Sequence, residues 1–86
     1  MTRADVEAFA ASASVELVLY DGHDDAIMGI GERLGDFFVV YDVERIIRKL
    51  MTRDGMTRDD AREFCDFNIA GSAIGDATPC LLQRTL

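Results

Sequence analysis

The sequence predicts one small α+β domain, an antiparallel sheet of about three strands packed against a C-terminal helical hairpin, with a short N-terminal helix. Three observations carry that reading. Apolar residues alternate at period two over residues 15–20, an unbroken apolar run occupies residues 37–41, and the chain after Asp42 switches to helical spacing.

Residues 4–12 are Ala-rich, with Val6, Phe9 and Ala10 at helical intervals, which predicts the N-terminal helix. Val15, Leu17 and Leu19 then fall on one side of an extended segment and Glu16, Val18 and Tyr20 on the other, the pattern of a first strand. After the polar turn Asp21-Gly22-His23-Asp24-Asp25, residues 26–31 read as a second strand returning beside it. Gly29 and Gly31 share parity with Ile27, which leaves a bare strip where a helix, a ligand or a partner backbone can approach. The run Phe37-Phe38-Val39-Val40-Tyr41 has the composition of a strand buried on both faces, central in the sheet or sandwiched at an interface.

Asp42 can cap the helix that follows, where Val43, Ile46, Ile47, Leu50 and Met51 recur at i, i+3, i+4, i+7 and i+8. Gly55 supplies the left-handed stop, and Thr57 caps a second helix with Asp60 three residues on. Its stripe is Ala61, Phe64, Cys65 and Ile69, widened by Phe67, while Arg62 and Asp66 pair across one turn. Asn68, in line with that stripe, has its default partners in the backbone of the Gly71-Ser72 loop. Beyond a stretch rich in Gly, Ser and Ala, Cys80-Leu81-Leu82 is either a short edge strand or packed coil.

Eighty-six residues bury only roughly 60–65% of the surface that the unfolded chain exposes. The stability margin is correspondingly thin, and a homodimer pairing through a sheet edge stays open. With 49% hydrophobic and 29% charged residues, the chain is well away from the composition of disorder. No apolar run approaches the roughly 20 residues of a membrane helix. Asp5 and Glu7 stand where a signal peptide has its apolar segment. The reading is a cytoplasmic protein with no membrane partner.

Cys65 and Cys80 match neither a disulfide framework nor a zinc site, and Cys65 sits on an apolar stripe as a buried thiol. The helix–turn–helix at Gly55 is no calcium loop, because Leu50 and Ala61 would occupy ligand positions. Asp21, His23, Asp24 and Asp25 are the one crowd of potential ligands, yet no further ligand, nucleophile or phosphate loop stands beside them. No catalytic residue, metal ligand set or cofactor is therefore assigned.

Charge says more than any motif. Residues 1–42 hold nine acids against Arg3 and Arg33, whereas the remainder is balanced, so the whole net charge of −7 lies in the N-terminal half. Arg45, Arg48, Lys49 and Arg53 make a basic face on the first long helix, which reads as a solvated face with Glu44 and Arg48 as a pair. Direct nucleic-acid binding there would work against the acidic half and lacks interleaved aromatics, so none is expected.

The segments Asp24-Asp25-Ala26-Ile27, Gly29, Glu32-Arg33, Gly35, Tyr41-Asp42, Leu50-Met51, Arg53-Asp54-Gly55-Met56-Thr57, Ala61, Glu63-Phe64, Phe67-Asn68, Gly71, Gly75 and Thr78-Pro79 resemble a family of small phage and prophage proteins. The N-terminal residues stand outside the pattern, and Ser72-Ala73 depart from it where the family tends to carry an aromatic. The resemblance implies a phage-associated accessory protein and brings no catalytic residue with it. Together with the acidic half, it leads us to expect an interaction protein that binds and inhibits or modulates a host protein, in the manner of anti-CRISPR or other anti-defence proteins. The target would be a nucleic-acid-handling complex, whose phosphate-binding surface clustered carboxylates can occupy. Asp21, Asp24, Asp25, Glu32 and Asp36 are the expected partner-binding residues. The alternative is a small ligand- or metal-binding domain, conceivably enzymatic, centred on His23 in the loop of residues 21–25 and the Gly29/Gly31 strip.

Overall fold

Residues 1–69 and 78–84 are described by a computed structural model of the chain. In chain order they form α1 (Arg3–Ala13), a single 3-10 turn (Asp24–Ala26), β1 (Ile27–Arg33), β2 (Asp36–Asp42), α2 (Val43–Asp54), α3 (Arg58–Asn68) and β3 (Cys80–Leu82). The fold is α+β with a small sheet in the order β1-β2-β3. That sheet is mixed and not all-antiparallel as the sequence suggested, because β1 and β2 are antiparallel while β3 runs parallel to β2. Two helices separate β2 from β3, and a crossover of that length is what a parallel pair requires. β2 is central, as its apolar run predicts, but it is not buried on both faces: Val39 and Tyr41 are buried, whereas Phe38 and Val40 on the other face are half-buried.

The expected first strand is the second correction. Residues 15–20 are not paired with any strand among the described residues. The chain leaves α1 through Ser14 at φ 55°, and Leu17, Leu19 and Tyr20 pack against the core. The Tyr20 backbone N–H donates to Tyr41 Oη at 2.9 Å, and the two rings sit 5.0 Å apart at 40°. Tyr41 projects from the sheet face, so a chain bonded to its phenol crosses above the face instead of extending an edge. Alternation reports an extended chain with apolar side chains; it does not distinguish a ladder from a strap.

The register contains a third difference. Ile27 pairs with Tyr41 but Gly29 pairs with Val40, so Met28 is an extra residue in β1. Such a bulge reverses the facing of everything beyond it. Ile27, Ile30, Val39 and Tyr41 consequently share the covered face, while Gly29 and Gly31 lie with Val40 and Phe38 on the other, despite their common parity with Ile27.

The helices follow local rules closely. Asp42 Oδ1 accepts from the Glu44 N–H at 3.0 Å, Gly55 closes α2 at φ 69°, and Thr57 Oγ1 accepts from the Asp60 N–H at 3.2 Å. Val43, Ile46, Ile47 and Leu50 are buried, each stabilising the fold by roughly 1.5–3 kcal/mol relative to exposure. In α3 only Ala61 and Cys65 are buried, followed by Ile69; Phe64 is 37% and Phe67 75% exposed, so the expected stripe is narrower than its aromatics suggested. Asn68 is exposed and its Nδ2 donates to the Phe64 carbonyl at 3.2 Å, whereas its expected partners at Gly71 and Ser72 lie outside the described residues. One core unites Ile27, Val39 and Tyr41 of the sheet with Val6, the α2 stripe, Ala61, Cys65 and Ile69. Phe9 of α1 adds an edge-to-face contact with Phe37 at 5.3 Å.

Asp42 is fully buried, and its second oxygen faces Arg84 Nη2 at 2.5 Å and Arg45 Nε at 3.6 Å. Those contacts lack hydrogen-bond alignment, so they act as ion pairs. Removing Arg84 leaves a buried carboxylate with one distant cation. Arg84→Met should cost about 1–3 kcal/mol in urea unfolding, and less than about 0.5 kcal/mol in an Asp42→Asn background, since the charge that Arg84 serves is then gone.

Candidate functional site

The two ends of β1 hold the five acids expected to bind a partner, and the structure does not bring them together. Asp21, Asp24 and Asp25 precede the strand, whereas Glu32 and Asp36 flank the turn at its far end, roughly 20 Å away along seven extended residues.

The first group is mostly occupied within the molecule. Asp24 accepts from Arg3 Nε at 2.9 Å and Nη2 at 3.1 Å, a bidentate pair that fastens α1 to the loop. Asp25 Oδ1 lies 2.7 Å from Lys49 Nζ, which also donates to the Gly22 carbonyl, fastening the loop to α2. These hydrogen bonds hold both carboxyl groups below the ordinary aspartate range. Asp21 is fully exposed, with Arg3 3.8 Å away. The expected basic face of α2 is drawn into ion pairs, with Arg45 to Asp42, Arg48 to Glu44, Lys49 to Asp25 and Arg53 to Asp54.

His23 sits half-buried at the start of the 3-10 turn, its Nδ1 buried without a hydrogen-bond partner among the described residues. Burial, reinforced by Lys49, lowers its pKa below 6.5. Among the described residues, no group of three or more His, Cys, Asp or Glu side chains is placed to hold a metal ion, and no helix is long and apolar enough to cross a membrane.

The hairpin tip is different. Arg33 and Asp36 pair as the last rung, and Leu34-Gly35 close the turn with φ of 52° and 84°. Two positive φ values in a two-residue loop are the primed-turn geometry that matches strand twist, and the first position ordinarily takes Asn, Asp or Gly. Leucine there costs roughly 1 kcal/mol of backbone strain and has no side-chain hydrogen bond to offset it. Nor does burial compensate, since Leu34 is 94% exposed. Glu32 and Asp36, both exposed, form no ion pair among the described residues. Arg33, Leu34, Asp36 and Phe38 line an open cleft of about 340 Å³.

Leu34 is the residue that sequence reasoning passed over as part of a loop. The available signal was its position, an apolar side chain immediately before Gly35 where a hairpin turn favours a small polar residue. Comparison of the chain with protein-family models, with curated proteins and with solved structures finds no match.

The loop chemistry has a pH signature. A folded-state pKa below 6.5 means the unfolded chain takes up a proton at His23 before the folded chain does, so stability falls as pH drops below 6.5 toward the lowered value. Asp24 and Asp25 add a second loss, in acid, as pH falls below the ordinary carboxylate range. NMR titration of this lone histidine should give a midpoint below 6.5, and His23→Gln should remove the first loss while keeping the second. A midpoint at or above 6.5 contradicts the burial assigned to the ring.

Proposed function

We propose that this chain is a small interaction protein that binds a host protein and inhibits or modulates it, of the anti-CRISPR or other anti-defence kind, and that it docks through the β1–β2 hairpin tip. The observation that carries the docking site is Leu34, held at φ 52° and 94% exposed. A side chain that strains the backbone and adds nothing to the core has its use outside the fold. Single apolar anchors entering a desolvated pocket, ringed by polar neighbours, supply most of the energy of many protein interfaces. Glu32 and Asp36 stand on either side of the anchor with no internal partner among the described residues, free to meet cations on a surface that handles nucleic acid. Asp21 offers a second acidic contact at the other end of β1, while Asp24 and Asp25 keep that loop in place.

In this reading α1, whose Phe9 ring meets Phe37 beside the tip, steadies the hairpin, so less ordering entropy is lost on docking. The resemblance to phage and prophage proteins supports a host target. Weighing against a ligand site in the loop of residues 21–25, two of its carboxylates are engaged by Arg3 and Lys49.

The test is affinity capture from bacterial lysate with mass spectrometry, comparing the wild type with Leu34→Asn and with the double variant Glu32→Gln/Asp36→Asn. Leu34→Asn should leave thermal stability unchanged or raise it by up to about 1 kcal/mol, because asparagine tolerates the left-handed region. Capture should nevertheless fall at least about tenfold, or 1.4 kcal/mol. The charge variant should weaken capture at low salt and matter less at moderate salt. Undiminished capture by Leu34→Asn would falsify the docking site.

A further inference from the structure

The face of the sheet opposite the core is a second surface, which adjoins the hairpin tip at Arg33, Asp36 and Phe38. Cross-strand register places Gly29, Gly31, Phe38, Val40, Cys80 and Leu82 on it. A Cβ built on Gly29 meets no atom within 4 Å, and one built on Gly31 runs into the Phe38 ring. That ring is thus folded over one glycine and leaves the other open. Phe38 and Val40 are half-buried, Cys80 is exposed and Leu82 is 41% exposed. Among the described residues no helix covers this face, since Val6, Phe9 and the α2 stripe all pack with residues of the opposite one.

Its charge is as informative as its apolarity. The chain carries −7, yet among the described residues this face is balanced, with Arg33 and Asp36 at the tip and, at the other end, buried Asp42 beside Leu82 with Arg84 paired to it. Glu32 pairs across the strands with Phe37 and so belongs to the other face. Asp24 and Asp25 are fastened to α1 and α2.

We infer that this face is a homodimer interface, on which two copies of the chain pack sheet against sheet. A neutral face is where two molecules of charge −7 can meet without bringing carboxylates together. An isologous contact needs a surface that complements itself, and this one carries both a projection, Phe38, and a gap, Gly29. Apolar composition with few charges marks the core of homodimer interfaces. Two strands of about five residues about 4.8 Å apart, with the three residues of β3 beside them, give a footprint of at most roughly 15 by 17 Å, short of the roughly 800 Å² per partner of a standard interface, so the association is weak. The dimer is therefore concentration-dependent, and because added salt screens the net charge, it strengthens with salt where capture through the acidic tip weakens.

The experiment is sedimentation velocity on purified protein from about 10 μM to about 1 mM, at low and moderate salt. Wild type should move toward twice the 9.5 kDa chain mass, more completely at the higher salt. Gly29→Lys, whose side chain enters open space in the monomer, should keep the wild-type melting temperature in dilute solution and sediment as a monomer throughout. A bifunctional maleimide should link wild-type pairs through exposed Cys80, leaving buried Cys65 untouched. A wild type that stays monomeric to about 1 mM, or a Gly29→Lys chain that dimerises equally well, overturns the inference. Leu34→Asn should dimerise like the wild type, so loss of tip docking and loss of dimerisation are read separately.

Discussion

The junction between β2 and α2 organises the molecule, because two consecutive buried side chains there each tie down distant parts of the chain. Tyr41 pairs with Ile27 and Leu81 across the sheet and receives the Tyr20 N–H on its phenol oxygen, which fixes the strap of residues 15–20 above the sheet. Asp42 caps α2 with one oxygen and meets Arg84, just past β3, with the other. A hydroxyl and a carboxylate with no exposure are costly unless their partners are supplied, so the strap and the chain after β3 are held where those partners must be. Sheet, helix, strap and the residues just past β3 are thereby referred to one point.

What could be read in advance follows the range of the interactions involved. The Asp42 cap, the α2 stripe, Gly55 and Thr57 rest on contacts within four residues, and the sequence carries them directly. The paths of residues 15–20 and of β3 depend on Tyr41 and Asp42, twenty to forty residues away, and no local periodicity encodes either. The bulge at Met28 is a further case: parity placed Gly29 with Ile27, and one extra residue put them on opposite faces. For the candidate site, Glu32 and Asp36 were legible as charges in a loop, but Asp24 and Asp25 were indistinguishable from them until Arg3 and Lys49 were placed beside them. Leu34 escaped notice because its significance lies in a backbone angle.

Among the described residues the sheet is covered on one side, which has consequences for function. The core is assembled on the face of Ile27, Val39 and Tyr41, which leaves the hairpin tip and the part of the opposite face away from Asp42 with few structural duties. Those are the places where the chain departs from what folding alone favours: an exposed leucine in a left-handed turn, an open glycine in the middle of a strand, and a thiol at the surface. The acids that first suggested a docking patch divide between the two roles, some holding the fold and some flanking the tip.

The sheet covered on one side is the claim on which the homodimer reading rests, and the two thiols test it most directly. Cys80 is assigned to the open face and Cys65 to the core, so native protein in dilute solution should label at Cys80 with a thiol reagent and at Cys65 only after unfolding, as mapped by peptide mass spectrometry. Protection of Cys80 in the dilute native chain, or equal labelling of both, would show that the second face is covered and contradict the account.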